Sequence, residues 1–308
     1  MSETIVEVES LTRRFGAKLA LDNVSLQIPR GIVLGLVGEN GAGKTTLIKH
    51  LLGLLKAQQG RVSVFGKNPV DDPVGVLGQI GYLSEDRDMP DWMKVGELLR
   101  YSQAFYPNWD EVLAEELRQT FELNLSQKIK SLSRGQRARA GLLVALAHRP
   151  PLLVLDEPSS GLDPIVRRDI LSAIIRTVAD EGRNVLFSSH LLDEVERVAD
   201  SVAMIHQGRI VLTDSLDDVI SRHYRLTLRF NKPQAVPPVL PGALSCRGER
   251  LEWTVVCNGE LEQVKSEAES LGAQILEETN ASLDEVFVAK VSATTSAAQP
   301  NVNTEQQR

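Results

Sequence analysis

The sequence predicts an α/β fold in which a mainly parallel sheet carries helices on both faces. Three short, mainly apolar runs, at 32–37, 152–155 and 184–188, are typical of buried parallel strands, and the first is also rich in β-branched residues. A segment with helical spacing of its apolar residues follows each run, which is the alternation that builds such a sheet. A glycine-rich loop joins the first run to its helix.

That loop has the phosphate-loop pattern G-x-x-x-x-G-K-[ST] at every required position. Its glycines let the backbone turn so that N–H groups and the helix N-terminus point at anionic oxygens. Lys44 adds a positive charge for the β- and γ-phosphates, and Thr45 offers a hydroxyl to Mg²⁺. The expected nucleotide contacts are Gly38, Glu39, Asn40, Gly41, Ala42, Gly43, Lys44, Thr45 and Thr46.

Two adjacent carboxylates follow the apolar run at 152–155. Since the carboxyl ends of parallel strands share one edge of the sheet, we expect Asp156 and Glu157 to lie beside the phosphate loop. Asp156 would hold Mg²⁺, and Glu157 would polarise the water that attacks the γ-phosphate. A carboxylate pair alone is a weak signal, and its coupling to a phosphate loop makes it a strong one.

Composition excludes several other classes of protein. The formal net charge of −7 over 308 residues, with no basic stripe, argues against a dedicated nucleic-acid binder. Cys246 and Cys257 have neither zinc-site spacing nor a disulfide pattern. No apolar run is long enough to span a membrane, and residues 1–10 lack the apolar core of a secretion signal. We therefore expect the chain to be neither exported nor membrane-spanning.

The segment before the phosphate loop predicts a small antiparallel β portion. Residues 5–8 are strand-like and 24–28 alternate strictly, and further short strands are expected at 60–66 and 80–83. Phe15 could stack on a purine base, a contact worth about 1–3 kcal/mol in other base–aromatic stacks. The alternative is that Phe15 is an ordinary core residue.

A helical insert is predicted at about 85–148, with helices over 95–105 and 111–123. This region is rich in aromatic residues, which either fill its own core or form a groove for a partner. They are Tyr82, Trp92, Tyr101, Phe105, Tyr106, Trp109 and Phe121.

The pattern of apolar and polar residues changes again beyond residue 222. Strand-like segments at 224–230, near 250–257 and at 273–278, with a helical 259–271, predict a small C-terminal α+β domain over 223–290. The polar tail 291–308 has no core-forming pattern and is expected to be disordered. The first domain then covers 1–222.

Five motifs resemble those of the ATPase subunits of ATP-binding cassette (ABC) transporters, in that family's order and spacing. They are GENGAGKTT (38–46), LSRGQ (132–136), LLVLDEP (152–158), SSGLD (159–163) and His190. Kinases and GTPases share the phosphate loop but lack the LSRGQ element. The resemblance covers residues 1 to about 222 and implies hydrolysis of ATP with Mg²⁺.

The resemblance also assigns residues and partners. It implies that Ser133, Gly135 and Gln136 contact the nucleotide held by a second cassette subunit, identical or different, so that two cassettes close face to face. His190 matches the family's γ-phosphate-sensing histidine. Two residues differ from the usual family pattern. Glu85 stands where a glutamine usually contacts Mg²⁺, so it would add negative charge near the metal. Arg134 replaces the usual glycine of LSGGQ, so it adds both positive charge and bulk where an anion is expected to bind.

The expected role is the cytoplasmic motor subunit of an exporter, on the inner face of the cell membrane, working through separate membrane-spanning permease subunits. The end of the C-terminal domain, 282–287, resembles that of drug- and polysaccharide-type exporter subunits. One alternative is a soluble ABC ATPase acting on ribosomes or DNA, although such proteins usually carry two cassettes or a long coiled-coil insert. A phosphotransferase would leave the LSRGQ element unexplained.

Overall fold

A computed structural model describes residues 4–179, 182–259 and 261–297. The chain divides into two compact units, Met1–Thr213 and Asp214–Arg308. The helix over Leu216–Arg222 packs on the first strand of the second unit, so the division comes earlier than the boundary expected after residue 222. None of the helices in the described ranges combines the length and apolar character needed to cross a lipid bilayer.

Among the described residues, nine strands precede the second unit's own sheet. In chain order they are β1 (Thr4–Phe15), β2 (Lys18–Pro29), β3 (Val33–Val37), β4 (Gln59–Val64), β5 (Ile80–Leu83), β6 (Leu152–Asp156), β7 (Asn184–Ser189), β8 (Ser201–His206) and β9 (Arg209–Ser215). One sheet has the order β5-β6-β7-β3-β8-β9, with parallel pairing from β5 through to β8. The other has the order β2-β1-β4 and is antiparallel. The predicted parallel sheet and antiparallel portion are both confirmed.

Seven α-helices accompany these strands in the part of the chain that the structure describes. They are α1 (Lys44–Leu51), α2 (Pro73–Leu77), α3 (Val95–Gln103), α4 (Glu111–Thr120), α5 (Arg134–Leu146), α6 (Pro164–Ala179) and α7 (Leu192–Val198). The predicted helical insert contains α3, α4 and α5. As the sequence indicates, Asp163 caps α6 before the proline at its first turn, accepting hydrogen bonds from the backbone N–H groups of Ile165 and Val166 at 3.0 and 3.1 Å.

The strands that carry the site are buried on both faces. Every residue of β3, β6 and β7 is buried, which accounts for their continuous apolar runs. Close helix packing requires small residues on these strands. A Cβ at Gly35 in β3 would lie 2.5 Å from Cγ1 of Val195 in α7, and one at Gly81 in β5 would lie 2.1 Å from the carbonyl oxygen of Ala145 in α5. Both helices therefore sit directly on the sheet.

The second unit is an α+β structure with its own core. Its elements are α8 (Leu216–Arg222), β10 (His223–Gln234), β11 (Ala243–Asn258), α9 (Leu261–Ser270), β12 (Ala273–Asn280) and α10 (Leu283–Ala297). The sheet order is β11-β10-β12, all antiparallel. Leu226, Leu228, Trp253 and Val255 of the sheet pack with Val264 of α9.

The last helix reaches into the segment predicted as a polar tail. Residues 291–297 continue α10, which Leu283, Val286 and Phe287 anchor by being buried in its first turns. Helix formation propagates more readily than it nucleates, so an anchored helix extends into a polar sequence that has no core pattern of its own. Residues 298–308 lie outside the described ranges.

Candidate functional site

The phosphate loop connects β3 to α1 at the carboxyl edge of the parallel sheet. Gly38 leaves no room for a side chain, because a Cβ there would lie 2.3 Å from the carbonyl oxygen of Ile205 in the neighbouring β8. Gly43 precedes α1 with φ of 118°, in the region that favours glycine. These two glycines permit the tight turn by which a phosphate loop brings backbone N–H groups and a helix N-terminus to an anion.

Lys44 begins α1, and its ammonium group lies inside the site. The side chain is only 6% exposed. Nζ donates to the carbonyl oxygen of Gly38 and, at 3.1 Å, to that of Glu39. The same nitrogen forms an ion pair with Oε1 of Glu157 at 3.0 Å. The phosphate-loop cation and the second carboxylate predicted from the sequence are therefore in direct contact.

Asp156 ends β6 and is almost completely buried. The Ser188 hydroxyl of β7 donates to Asp156 Oδ1 at 2.7 Å, and the Thr45 hydroxyl also bonds this carboxylate. Burial raises the pKa of Asp156 and the nearby charge of Glu157 raises it further, while the two hydroxyl bonds and Lys44 oppose this rise. The first of the two predicted carboxylates thus lies beside the Thr45 hydroxyl.

Glu157 follows β6 in a left-handed turn, with φ of 47°. Its backbone N–H donates to Ser188 Oγ at 2.9 Å, so one serine holds both members of the acid pair. Its Oε2 lies 2.7 Å from Nδ1 of His190, a bond in which the ring nitrogen donates because a carboxylate can only accept. Oε1 accepts no directed hydrogen bond from any described residue and has only its ion pair with Lys44.

A cavity of about 340 Å³ opens over the phosphate loop. Most of the residues expected to bind nucleotide or metal line it together: Phe15, Asn40, Gly41, Gly43, Lys44, Thr45, Thr46, Glu85 and Glu157. Phe15 is 45% exposed at the end of the β1–β2 hairpin, so it is not a core residue. The guanidinium of Arg13 lies over its ring, 4.7 Å from the centroid.

The LSRGQ residues do not line this cavity. Ser133 caps α5, with its hydroxyl accepting from the Gln136 N–H at 3.2 Å while Gln136 Oε1 accepts from the Ser133 N–H at 3.0 Å. Gly135 packs tightly on α6, since a Cβ there would lie 2.8 Å from Val166 Cγ2. Arg134 is exposed, and its guanidinium fills the space where a side chain at Gly161 would stand.

Sequence reasoning missed Ser188 and Arg87. Ser188 ends a predicted strand, and a polar residue closing an apolar run next to the acid pair's strand was the available signal. Arg87 lies in the loop between β5 and α3, and its guanidinium is buried against the turn that follows Glu157. Nothing in the sequence signals this contact between segments 71 residues apart.

Known proteins with similar sequences are ATP-binding proteins of ABC transporters. A family model for ABC transporters matches residues 21–160. The chain is 34% identical over 218 residues to the ABC transporter ATP-binding protein YdbJ of Bacillus subtilis (strain 168), which covers 70% of this chain and 71% of YdbJ. It is 26% identical over 293 residues to the ABC transporter ATP-binding protein YtrB of the same organism, covering 93% and 98% of the two chains.

A solved structure of the ATP-binding subunit of an ABC transporter has the same fold. Its TM-score is 0.65 at 32% sequence identity, and the match covers 71% of this chain and 92% of the other. The phosphate loop and the acid pair at the end of β6 both fall within residues 21–160, which the family model matches. The chain therefore belongs to the family of ATP-binding subunits of ABC transporters.

Proposed function

We propose that this chain hydrolyses ATP with Glu157 as general base and so drives export through separate membrane-spanning subunits. The observation that carries the proposal is the placing of Glu157 between Lys44, at 3.0 Å, and His190, at 2.7 Å. Oε1 pairs with Lys44 but accepts no directed hydrogen bond, so it retains acceptor capacity for a proton from water, while His190 fixes Oε2.

The chemistry follows from these positions. A water attacks the γ-phosphorus and gives its proton to Glu157, and the bond from this phosphorus to the bridging oxygen breaks to leave ADP. Lys44 and the N–H groups at the start of α1 oppose the negative charge of the phosphates. His190 keeps the carboxylate of Glu157 oriented and extends the site towards solvent, where its ring is partly exposed.

The site fits a magnesium ion. Asp156, Thr45 and Glu85 supply oxygen atoms, the ligands that this ion prefers, and the buried carboxylate of Asp156 already contacts the Thr45 hydroxyl. We assign these three residues to Mg²⁺. When bound, the ion would neutralise charge on the β- and γ-phosphates.

Glu157→Gln tests the assignment of the base. The amide cannot take a proton but fills the same space, so ATP binding should persist while hydrolysis slows by about 10²-fold or more. Isothermal titration calorimetry with ATP and phosphate release together check this. Near-normal turnover would contradict the role of Glu157.

A second copy of the chain, or a related subunit, would complete the site. Ser133, Gly135 and Gln136 lie at the start of α5, where the helix dipole favours an anion. Because they do not line the cavity that contains Lys44, we infer that they serve the nucleotide of the facing subunit. ATP-dependent dimerisation of the Glu157→Gln variant, measured by light scattering, would support this.

The membrane partner is assigned to the helical insert. The aromatic residues of this insert fall into an enclosed and an exposed group. Phe121 is buried, and the ring of Tyr106 stacks on His148. Trp92, Tyr101 and Phe105 are instead 71%, 53% and 63% exposed. The rings of Tyr101 and Phe105 also contact each other, and exposed aromatic residues are characteristic of interfaces. We propose that these three residues bind a permease at the inner face of the membrane, in accordance with the relatives named as transporter subunits.

Trp92→Glu tests this surface. The variant should keep the melting temperature of the native chain, because the side chain is mostly exposed, but should no longer pellet with membranes from cells that make the permease. Val112→Glu is a matched control, since Val112 is 70% exposed on α4 of the same insert and should pellet normally. A Trp92→Glu variant that still pellets would remove this residue from the interface.

A further inference from the structure

Arg87 is a buried cation that the catalytic scheme does not use. It lies in the loop between β5 and α3, two residues after Glu85, and is only 3% exposed. Its Nη2 donates to two backbone carbonyl oxygens, that of Pro158 at 3.1 Å and that of Ser160 at 3.0 Å. Both carbonyls belong to the turn that begins at Glu157.

Burying the Arg87 guanidinium in this way costs more free energy than a purely structural contact normally requires. A buried charge normally has a charged partner, and Arg87 forms no ion pair within the ranges that the structure describes. Burial lowers the pKa of its guanidinium, as does the nearby charge of Arg134, while the nearby charge of Glu85 partly opposes this. The backbone of Arg87 is also left-handed, with φ of 52°. Residues held in an unfavourable backbone conformation are typically found at functional sites.

The turn that Arg87 holds determines where the Glu157 carboxylate lies. The Ser160 N–H donates to the Glu157 carbonyl at 3.1 Å, which closes the turn. Ser188 fixes the turn at its start, through the Glu157 N–H, and Arg87 fixes it immediately afterwards, through the carbonyls on either side of Ser159. The strained φ of Glu157 is therefore held from both sides.

We propose that Arg87 is a positioning residue for hydrolysis, which aligns Glu157 by clamping the turn at Pro158 and Ser160. The inference rests on the proposed function of Glu157 as general base. Without the clamp, the turn could relax from its left-handed start, and the carboxylate would leave the position between Lys44 and His190. A displacement of about 1 Å can cost about 10²-fold in rate.

Arg87→Ala tests the clamp in the full-length chain. Hydrolysis should fall about 10- to 100-fold in kcat, whereas the KM for ATP should change little because Arg87 does not line the phosphate-loop cavity. Guanidinium ion at millimolar concentration should restore part of the rate, with sodium chloride at the same ionic strength as its control. Melting curves of each variant set an assay temperature at which all remain folded.

Two further variants separate positioning from general structural support. Added to Glu157→Gln, Arg87→Ala should cause no further loss in single-turnover hydrolysis, since it acts through the carboxylate already removed. The matched control is Arg118→Ala: Arg118 also donates to a backbone carbonyl, that of Leu123 at 3.0 Å, but lies in α4 and should leave kcat unchanged.

The outcomes are distinct. A folded Arg87→Ala variant with native kcat, or one whose only change is a higher KM, would overturn the inference, as would full additivity with Glu157→Gln. If Glu157→Gln itself hydrolyses ATP normally, the proposed function fails instead, whatever Arg87→Ala does.

Discussion

At the scale of single residues, Glu157 is the centre of the site because its two carboxylate oxygens have different partners. One oxygen faces a cation from the phosphate loop, and the other accepts from a histidine 33 residues further along the chain. The sequence indicates Lys44, Glu157 and His190 separately, through motif and strand position. It predicts that Glu157 lies beside the phosphate loop, but not that its two oxygens contact Lys44 and His190, because those contacts depend on the order of β6, β7 and β3 in the sheet.

Phe15 supports a test of base recognition. Its half-exposed ring borders the cavity, so Phe15→Ala should weaken ATP binding by about 1–3 kcal/mol. Binding of inorganic triphosphate should change much less, because that ligand has no ring to stack. Competition titrations with both ligands measure the difference. Equal losses would mean that the ring shapes the loop rather than contacting the base.

At the scale of elements, the start of α4 depends on one side chain. Asp110 Oδ1 accepts from the Leu113 N–H at 2.9 Å, and its Oδ2 accepts from Nε of Arg149 at 2.7 Å. These bonds, the backbone bond first, hold the pKa of Asp110 below its usual range. The carboxylate therefore caps the helix and ties it to the segment after α5.

Asp110→Ala should destabilise the insert by about 1 kcal/mol, the usual cost of losing a helix cap. Asp110→Asn should cost less, because asparagine caps equally well and only the charge opposite Arg149 is lost. Urea denaturation at neutral pH compares the two variants with the native chain. Equal destabilisation by both would show that the ion pair, and not the cap, supports α4.

The elements also show which patterns are readable in a sequence. The buried strands β3, β6 and β7 each contain a short apolar run and were predicted nearly to the residue. The strands β8 and β9 were not predicted. They are neighbours in the sheet, joined by Gln207 and Gly208, which both have positive φ. That conformation is typical of tight hairpins, but its usual signal is Asn-Gly or Asp-Gly, so Gln-Gly gave no clear indication.

At the scale of the whole molecule, each unit has its own core and its own buried histidines. His50 and His148 lie in the first unit and His223 in the second. In each case burial is the largest cause of a lowered pKa. His50 and His223 each donate Nδ1–H to a carbonyl of the preceding turn, that of Thr46 at 2.8 Å and that of Val219 at 2.7 Å.

From these buried histidines we predict that the folded chain begins to lose stability as the pH falls below about 6.5, before most carboxylates titrate. Because their folded-state pKa values are below the unfolded value near 6.5, the unfolded chain binds more protons as the pH falls through that value. Their contribution to stability is complete above about pH 6.5 and is lost below it, by at most about 1.4 kcal/mol per pH unit for each proton. Asp156, whose pKa is raised, acts in the opposite direction with a single proton.

Melting temperatures between pH 7.5 and pH 5.5, at constant ionic strength, measure this dependence and should fall with acidification. His50→Asn and His223→Asn are matched variants, since the asparagine amide can keep the bond to the carbonyl but does not titrate. The first should flatten the pH dependence of the nucleotide-binding unit, and the second that of the C-terminal unit. A melting temperature that holds steady or rises towards pH 5.5 would show that these histidines do not govern the acid response.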